Sequence, residues 1–179
     1  WQRQRWNNFI EEQIHQRQQQ PDRQGIDLLS FVIQGTELST TQLREELSTA
    51  FTAGTRNVAE VVAAILFLCA KNPEAMQRLQ SEITEFLGEC SSEFHLADIN
   101  LLKYLDLVVK EALRLYPAVP LFIREVIPGQ SPTLGGYTIP EKTQIFISSW
   151  SFHRNPQHWQ NPNDFIPERF TNVPPPFHY

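Results

Sequence analysis

Lys110-Glu111-Ala112-Leu113-Arg114-Leu115-Tyr116-Pro117 is the stretch on which the fold turns. It sets a carboxylate and a guanidinium three residues apart in helix-forming sequence, then closes the helix with proline. Residues i and i+3 share a helical face, so Glu111 and Arg114 are within reach of each other. On an exposed helix such a pair contributes roughly 0.3–0.5 kcal/mol. Leu105, Val108, Val109, Ala112, Leu113 and Leu115 crowd both sides of it, which predicts a largely buried helix over about residues 101–116. A charge in that setting is retained when it is paired and fully hydrogen-bonded.

Periodicity organises the chain on either side. Residues 1–20 are polar and Gln-rich, with Trp6, Phe9, Ile10 and Ile14 at helical spacing. They predict an amphipathic helix that Pro21 ends. Residues 26–33 predict a short helix. Ser39-Thr40-Thr41-Gln42 reads as a capping box, with Ser39 the N-cap and Gln42 reaching back. A helix of roughly 45 Å should run from there to Lys71. Asn72-Pro73 then opens the next one, with Asn72 as cap and Pro73 in the first position, and Gly88 ends it. Cys90 to Ile99 predicts a loop or short turn. Beyond Pro117 the period changes. Gly135-Gly136 predicts a turn with a short strand after it, and residues 143–149 predict another strand. Pro156, Pro162, Pro167 and Pro174 to Pro176 exclude regular elements from the last segment. Trp150, Phe152, Trp159, Phe165 and Phe170 make it a packed coil.

The bulk numbers fit a globular class: 179 residues, 41% hydrophobic and 20% charged. A formal net charge of −5 gives no support for nucleic-acid binding, which shows a basic patch. Two cysteines make no disulfide framework. Cys69, in an apolar helical run, reads as a buried small hydrophobe, and Cys90 as inert. The longest uncharged apolar run, residues 61–70, is too short to cross a bilayer. His15, His95, His153, His158 and His178 show no metal-ligand spacing, and no metal ligand is assigned. The chain does not begin with Met and shows no signal peptide; both ends read as cut, as in an internal piece of a longer domain.

A third charged partner appears in Pro167-Glu168-Arg169-Phe170, with His153-Arg154-Asn155-Pro156 between it and the helix. Glu111-x-x-Arg114 running into Leu115-Tyr116-Pro117, with these two motifs downstream, resembles the helix and meander signature of the haem-thiolate monooxygenases, the cytochrome P450 superfamily. The resemblance covers nearly the whole chain. It implies a mainly α fold with a minor β portion, and one incomplete domain over 1–179: helical over 1–117, short strands over 118–150, meander over 151–179. It also implies that Glu111, Arg114 and Arg169 form one charge network. Arg suits that role because its planar fork bonds a carboxylate through two parallel hydrogen bonds.

The same resemblance places other residues. Phe51-Thr52-Ala53-Gly54-Thr55-Arg56-Asn57-Val58 is similar to the family's oxygen-activating segment, with Ala53 and Gly54 as the small pair against which a flat haem lies. The departure follows at once. Arg56 stands where the family has an acid, and Asn57 where it has a threonine. The acid and the hydroxyl relay protons during dioxygen activation. Arg56 stays protonated, and Asn57 is a poor proton carrier. Thr55 does not replace it, lying about 200° away around the helix. Arg124 is implied as a haem-propionate partner, and Ala118, Val119, Leu121 and Phe122 as lining for a lipophilic substrate. The family's axial cysteine belongs to a loop beyond Pro-Glu-Arg-Phe that residues 1–179 do not reach.

What the resemblance implies for function is a haem oxidoreductase that inserts one oxygen atom into a lipophilic small molecule. Electrons would come from a reductase or ferredoxin, and residues 1–179 alone would hold no haem securely and be inactive. Two other readings stay open. One is a family member that rearranges a peroxide already present in its substrate, which needs no proton relay. The other is a truncated, non-catalytic product. Location in the cell is not legible, membrane association included.

Overall fold

The computed structural model describes residues 2–19, 27–35, 37–89 and 96–171. The protein is mainly α with a few short antiparallel strands. Its helices are α1 (Gln2–Gln18), α2 (Leu28–Gly35), α3 (Thr40–Lys71), α4 (Pro73–Glu89), α5 (Lys103–Leu115) and the short α6 (Ser149–Phe152). Two 3-10 helices, Leu96–Leu101 and Pro167–Phe170, complete the helical set. Two compact units, Trp1–Arg56 and Asn57–Tyr179, have their boundary inside α3.

In the first unit, Ile10 and Ile14 of α1 pack with Leu43 and Leu47 of α3, flanked by Trp6, Leu29, Val32 and Ile33. The Trp6 indole donates to Ser48 Oγ at 3.0 Å, closing the polar edge of that core. Asp27 caps α2: its Oδ1 accepts from the Ser30 amide at 2.8 Å. That bond, and Arg17 beside it, hold the Asp27 carboxyl below the usual range. The capping box opens α3, with Gln42 Oε1 accepting from the Ser39 amide at 3.0 Å.

The second unit is built around α5. Val108 and Tyr104 pack on Cys69 of α3 and Leu79 of α4, and Ala112 and Leu115 pack on Leu68. Burial is one-sided, against the expectation of crowding all round: Leu113 is 39% exposed, because it falls outside the stripe of residues 104, 108, 111, 112 and 115. Asn72 also departs from expectation. Its Nδ2 donates back to the Leu68 carbonyl at 2.7 Å, serving an unpaired carbonyl at the end of α3 instead of the first amides of α4.

Leu121–Glu125 (β1) and Gln144–Ser148 (β4) form one antiparallel pair, with Arg124 opposite Ile145. Thr133–Leu134 (β2) and Tyr137–Thr138 (β3) form another, turned by Gly135 and Gly136, both at positive φ. The Pro-rich segment is not wholly irregular. Proline at the first position of a helical turn loses no needed donor, and Pro167 starts a 3-10 helix there. The stop at Pro21, the loop from Cys90, His95, His178 and Pro174 to Pro176 lie outside the described residues.

By length and composition α3 is apolar enough to cross a membrane. The contiguous uncharged run had excluded this, but the helix passes with Arg56 and Glu60 included.

Candidate functional site

The site grows from one turn of α5. Glu111 and Arg114 face the unit's interior, 0% and 1% exposed. Arg114 Nε donates to Glu111 Oε2 at 2.7 Å and Nη2 donates to Oε1 at 2.8 Å, the two-pronged geometry that a planar guanidinium allows. Its remaining N–H groups leave α5 altogether. Nη1 donates to the carbonyls of His153 and Pro162, both at 2.7 Å, and Nη2 to that of Asp164 at 3.1 Å. All five guanidinium donors are thus engaged.

Glu111 is equally committed. Its Oε1 also accepts from the Ile166 amide at 2.9 Å and from Arg169 Nε at 3.0 Å. Arg169 in turn donates to the carbonyls of Gln160, Asn161 and Asp164. The chemistry explains why two arginines suit this segment. A Pro-rich coil is short of its own N–H donors, yet its buried carbonyls need partners. The guanidiniums supply those donors, and Glu111 balances part of their charge.

Aromatic rings wall the network. The Arg114 guanidinium lies 5.0 Å and that of Arg169 6.0 Å from the Trp159 ring centroid. Arg154 lies 3.4 Å over Trp150, and its Nη2 donates to the Leu115 carbonyl at the end of α5. Burial first, and then the charges of Arg114 and Arg154, lower the His153 imidazole below its ordinary value, against a hydrogen bond with the Arg114 backbone that favours the charged ring. Sequence reading missed Trp159 and Arg154 as parts of this assembly. The signal was present, in arginines and tryptophans alternating through a coil otherwise short of donors.

The remaining candidates are distributed differently. Ala53, Gly54 and Arg56 lie on exposed turns of α3 in the first unit, whereas Asn57, Arg124 and residues 118–122 belong to the second. A methyl group added at Gly54 meets nothing within 4 Å. Arg124 is exposed on β1; Nη1 donates to its own neighbour's carbonyl at Ile123, and the guanidinium sits 5.5 Å from the Phe122 ring. Alternation along the strand puts Phe122 and Arg124 on one face and Leu121 and Ile123 on the other. Ala118 lines a cavity of about 400 Å³ with Phe67, Tyr116, Pro117, Pro120 and Trp150. Val119, Leu121 and Phe122 are exposed.

Two observations bear on a haem. The exposed Arg124 guanidinium, whose Nη1 is on the Ile123 carbonyl and which has no ion-pair partner among the described residues, is complementary in charge to a propionate. Cys69 does not fit an axial thiolate, because it is 1% exposed and burial pushes its thiol up. Among the described residues no three His, Cys, Asp or Glu side chains gather as a metal site.

An α-rich unit whose buried Glu-Arg helix is tied through a second arginine to a Pro-rich coil defines a class of protein. The cytochrome P450 family profile matches residues 2–175, and the chain belongs to that family. It is 42% identical over 151 residues to cytochrome P450 97B1, chloroplastic, of Pisum sativum, covering 80% of this chain and 27% of that protein. It is 33% identical over 181 residues to cytochrome P450 4V2 of Mus musculus (92% and 34%). It is 35% identical over 179 residues to cytochrome P450 71B25 of Arabidopsis thaliana (94% and 35%). The chain therefore spans about a quarter to a third of the length of the curated relatives it matches.

Proposed function

We propose that this chain is part of a haem-thiolate oxidoreductase that inserts one oxygen atom into a lipophilic small molecule, using dioxygen and electrons from a reductase or ferredoxin. The observation that supports it best is the buried Glu111–Arg114–Arg169 network in a chain of the cytochrome P450 family. Its role is to hold the coil of residues 153–170 in one conformation. Haem, when bound, supplies the oxidising centre. Arg124 is assigned to a propionate, Ala53 and Gly54 to a flat face of the macrocycle, and Ala118, Val119, Leu121 and Phe122 to the substrate. In the full-length protein, the reduced carbon monoxide complex is expected to give a thiolate-type Soret band. A preparation that takes up haem without that band counts against the proposal.

Arg56 and Asn57 favour a second reading. A permanently charged guanidinium and a carboxamide deliver protons poorly, so a peroxide-rearranging isomerase or dehydratase of the same family suits them better than a monooxygenase. Turnover of an organic hydroperoxide without any electron supply would support this reading, and turnover only with electrons and dioxygen would remove it.

A further inference from the structure

Glu168 and Arg169 are neighbours in the 3-10 helix Pro167–Phe170, yet they reach different helices. Arg169 goes to Glu111 on α5. Glu168 goes to α4, where its Oε1 accepts from Arg78 Nη1 at 2.7 Å across 90 residues of sequence. The Arg78 guanidinium lies 4.2 Å over the ring of Tyr104, in the first turn of α5. Tyr104 is 5% exposed, and its phenol is pushed up to about 12, by burial first and then by the Glu168 carboxylate beside it. So α4, α5 and the 3-10 helix converge at a second point, separate from Glu111.

We propose that Arg78 and Glu168 form an outer latch that fixes the roll of the Pro167–Phe170 helix and so aims Arg169 at Glu111. Both are positioning residues. The 3-10 helix is a single short turn, held by bonds such as Thr171 N–H to the Glu168 carbonyl at 3.0 Å. Hydrogen-bond geometry in such turns is poor, so contacts outside the turn set its orientation; Pro167 and Phe170, both buried, anchor one side of it, and the Arg78–Glu168 pair holds the other. At three residues per turn, successive side chains project about 120° apart, and fixing the direction of Glu168 fixes that of Arg169. The pair is exposed, 57% at Arg78 and 46% at Glu168, which makes it a weak source of stability. Selecting one roll of one turn needs little energy, and the face of Tyr104 orients the Arg78 guanidinium beforehand.

The test uses the full-length protein and reads hydrogen exchange by NMR at the Arg169 Nε–H, a signal independent of haem and of turnover. Arg78→Gln and Glu168→Gln are each expected to speed that exchange roughly two- to fivefold, the scale of an exposed ion pair. The double variant should be no faster than either single one, and Arg78→Lys should keep most of the protection. The Arg114 Nε–H should not change. An ion pair without a positioning role shifts the melting temperature slightly and leaves Arg169 alone. Unchanged exchange at Arg169 in either single variant, or two effects that add independently, overturns the latch.

Discussion

Glu111 carries four hydrogen bonds on two oxygens, and none of them is shared with solvent. Removing it leaves the buried Arg114 and the partly buried Arg169 without their counter-charge. Glu111→Ala in the full-length protein is expected to lose about 3–5 kcal/mol of stability, measured by denaturant unfolding, with loss of haem content. Arg114→Lys should cost nearly as much, since an ammonium has three donors where five are used. His153 makes a pH prediction. Its folded value lies below 6.5, so as pH falls past 6.5 the unfolded chain takes up the proton first. Stability is then full above pH 6.5 and declines as the medium is acidified. His153→Gln should flatten the melting-temperature profile below that pH. An unchanged slope would mean that other groups dominate.

At the scale of elements, α5 begins without a cap of its own. Leu102 at its N-cap makes no side-chain bond. Glu82 of α4 replaces it, accepting from the Tyr104 amide at 2.6 Å and the Leu105 amide at 2.9 Å. A carboxylate there satisfies two unpaired donors and meets the positive end of the helix dipole. Glu82→Ala should cost about 1 kcal/mol, the scale of a lost cap, and lower the urea midpoint without changing the m-value. A chain read in one dimension did not offer this cap, because the capping residue lies more than twenty positions upstream on another helix. The α3 start was legible by contrast, since Ser39 and Gln42 are local partners.

For the whole molecule, the decisive question is the pair at Arg56 and Asn57. If the parent protein reduces dioxygen, product formed per electron consumed should be low, with much of the remainder appearing as reduced oxygen species. Arg56→Asp combined with Asn57→Thr should raise that ratio for a lipophilic substrate that binds. Peroxide-driven turnover should respond less, because it bypasses dioxygen reduction. High coupling in the unaltered protein would mean that another group or a water chain carries the proton.

What the sequence determined by itself was the set of local, periodic features. The amphipathic stripe of α1, the length of α3, the proline that opens α4 and the glycine turn between β2 and β3 each depend on residues a few positions apart. The Glu111–Arg114 pair is of the same kind, fixed by helical spacing alone. Tertiary structure decided everything that joins distant segments. It sent Arg114 to carbonyls some 40–50 residues away, set Trp159 against two guanidiniums, gave Glu82 to α5 and Glu168 to Arg78. It also turned Asn72 back onto α3 and left Leu113 in solvent. The physical reason is common to all of them. A helix or a turn is specified by its own backbone bonds, whereas the partners of a buried charge, a bare helix end or a proline-rich coil are whichever groups the packed chain brings within reach.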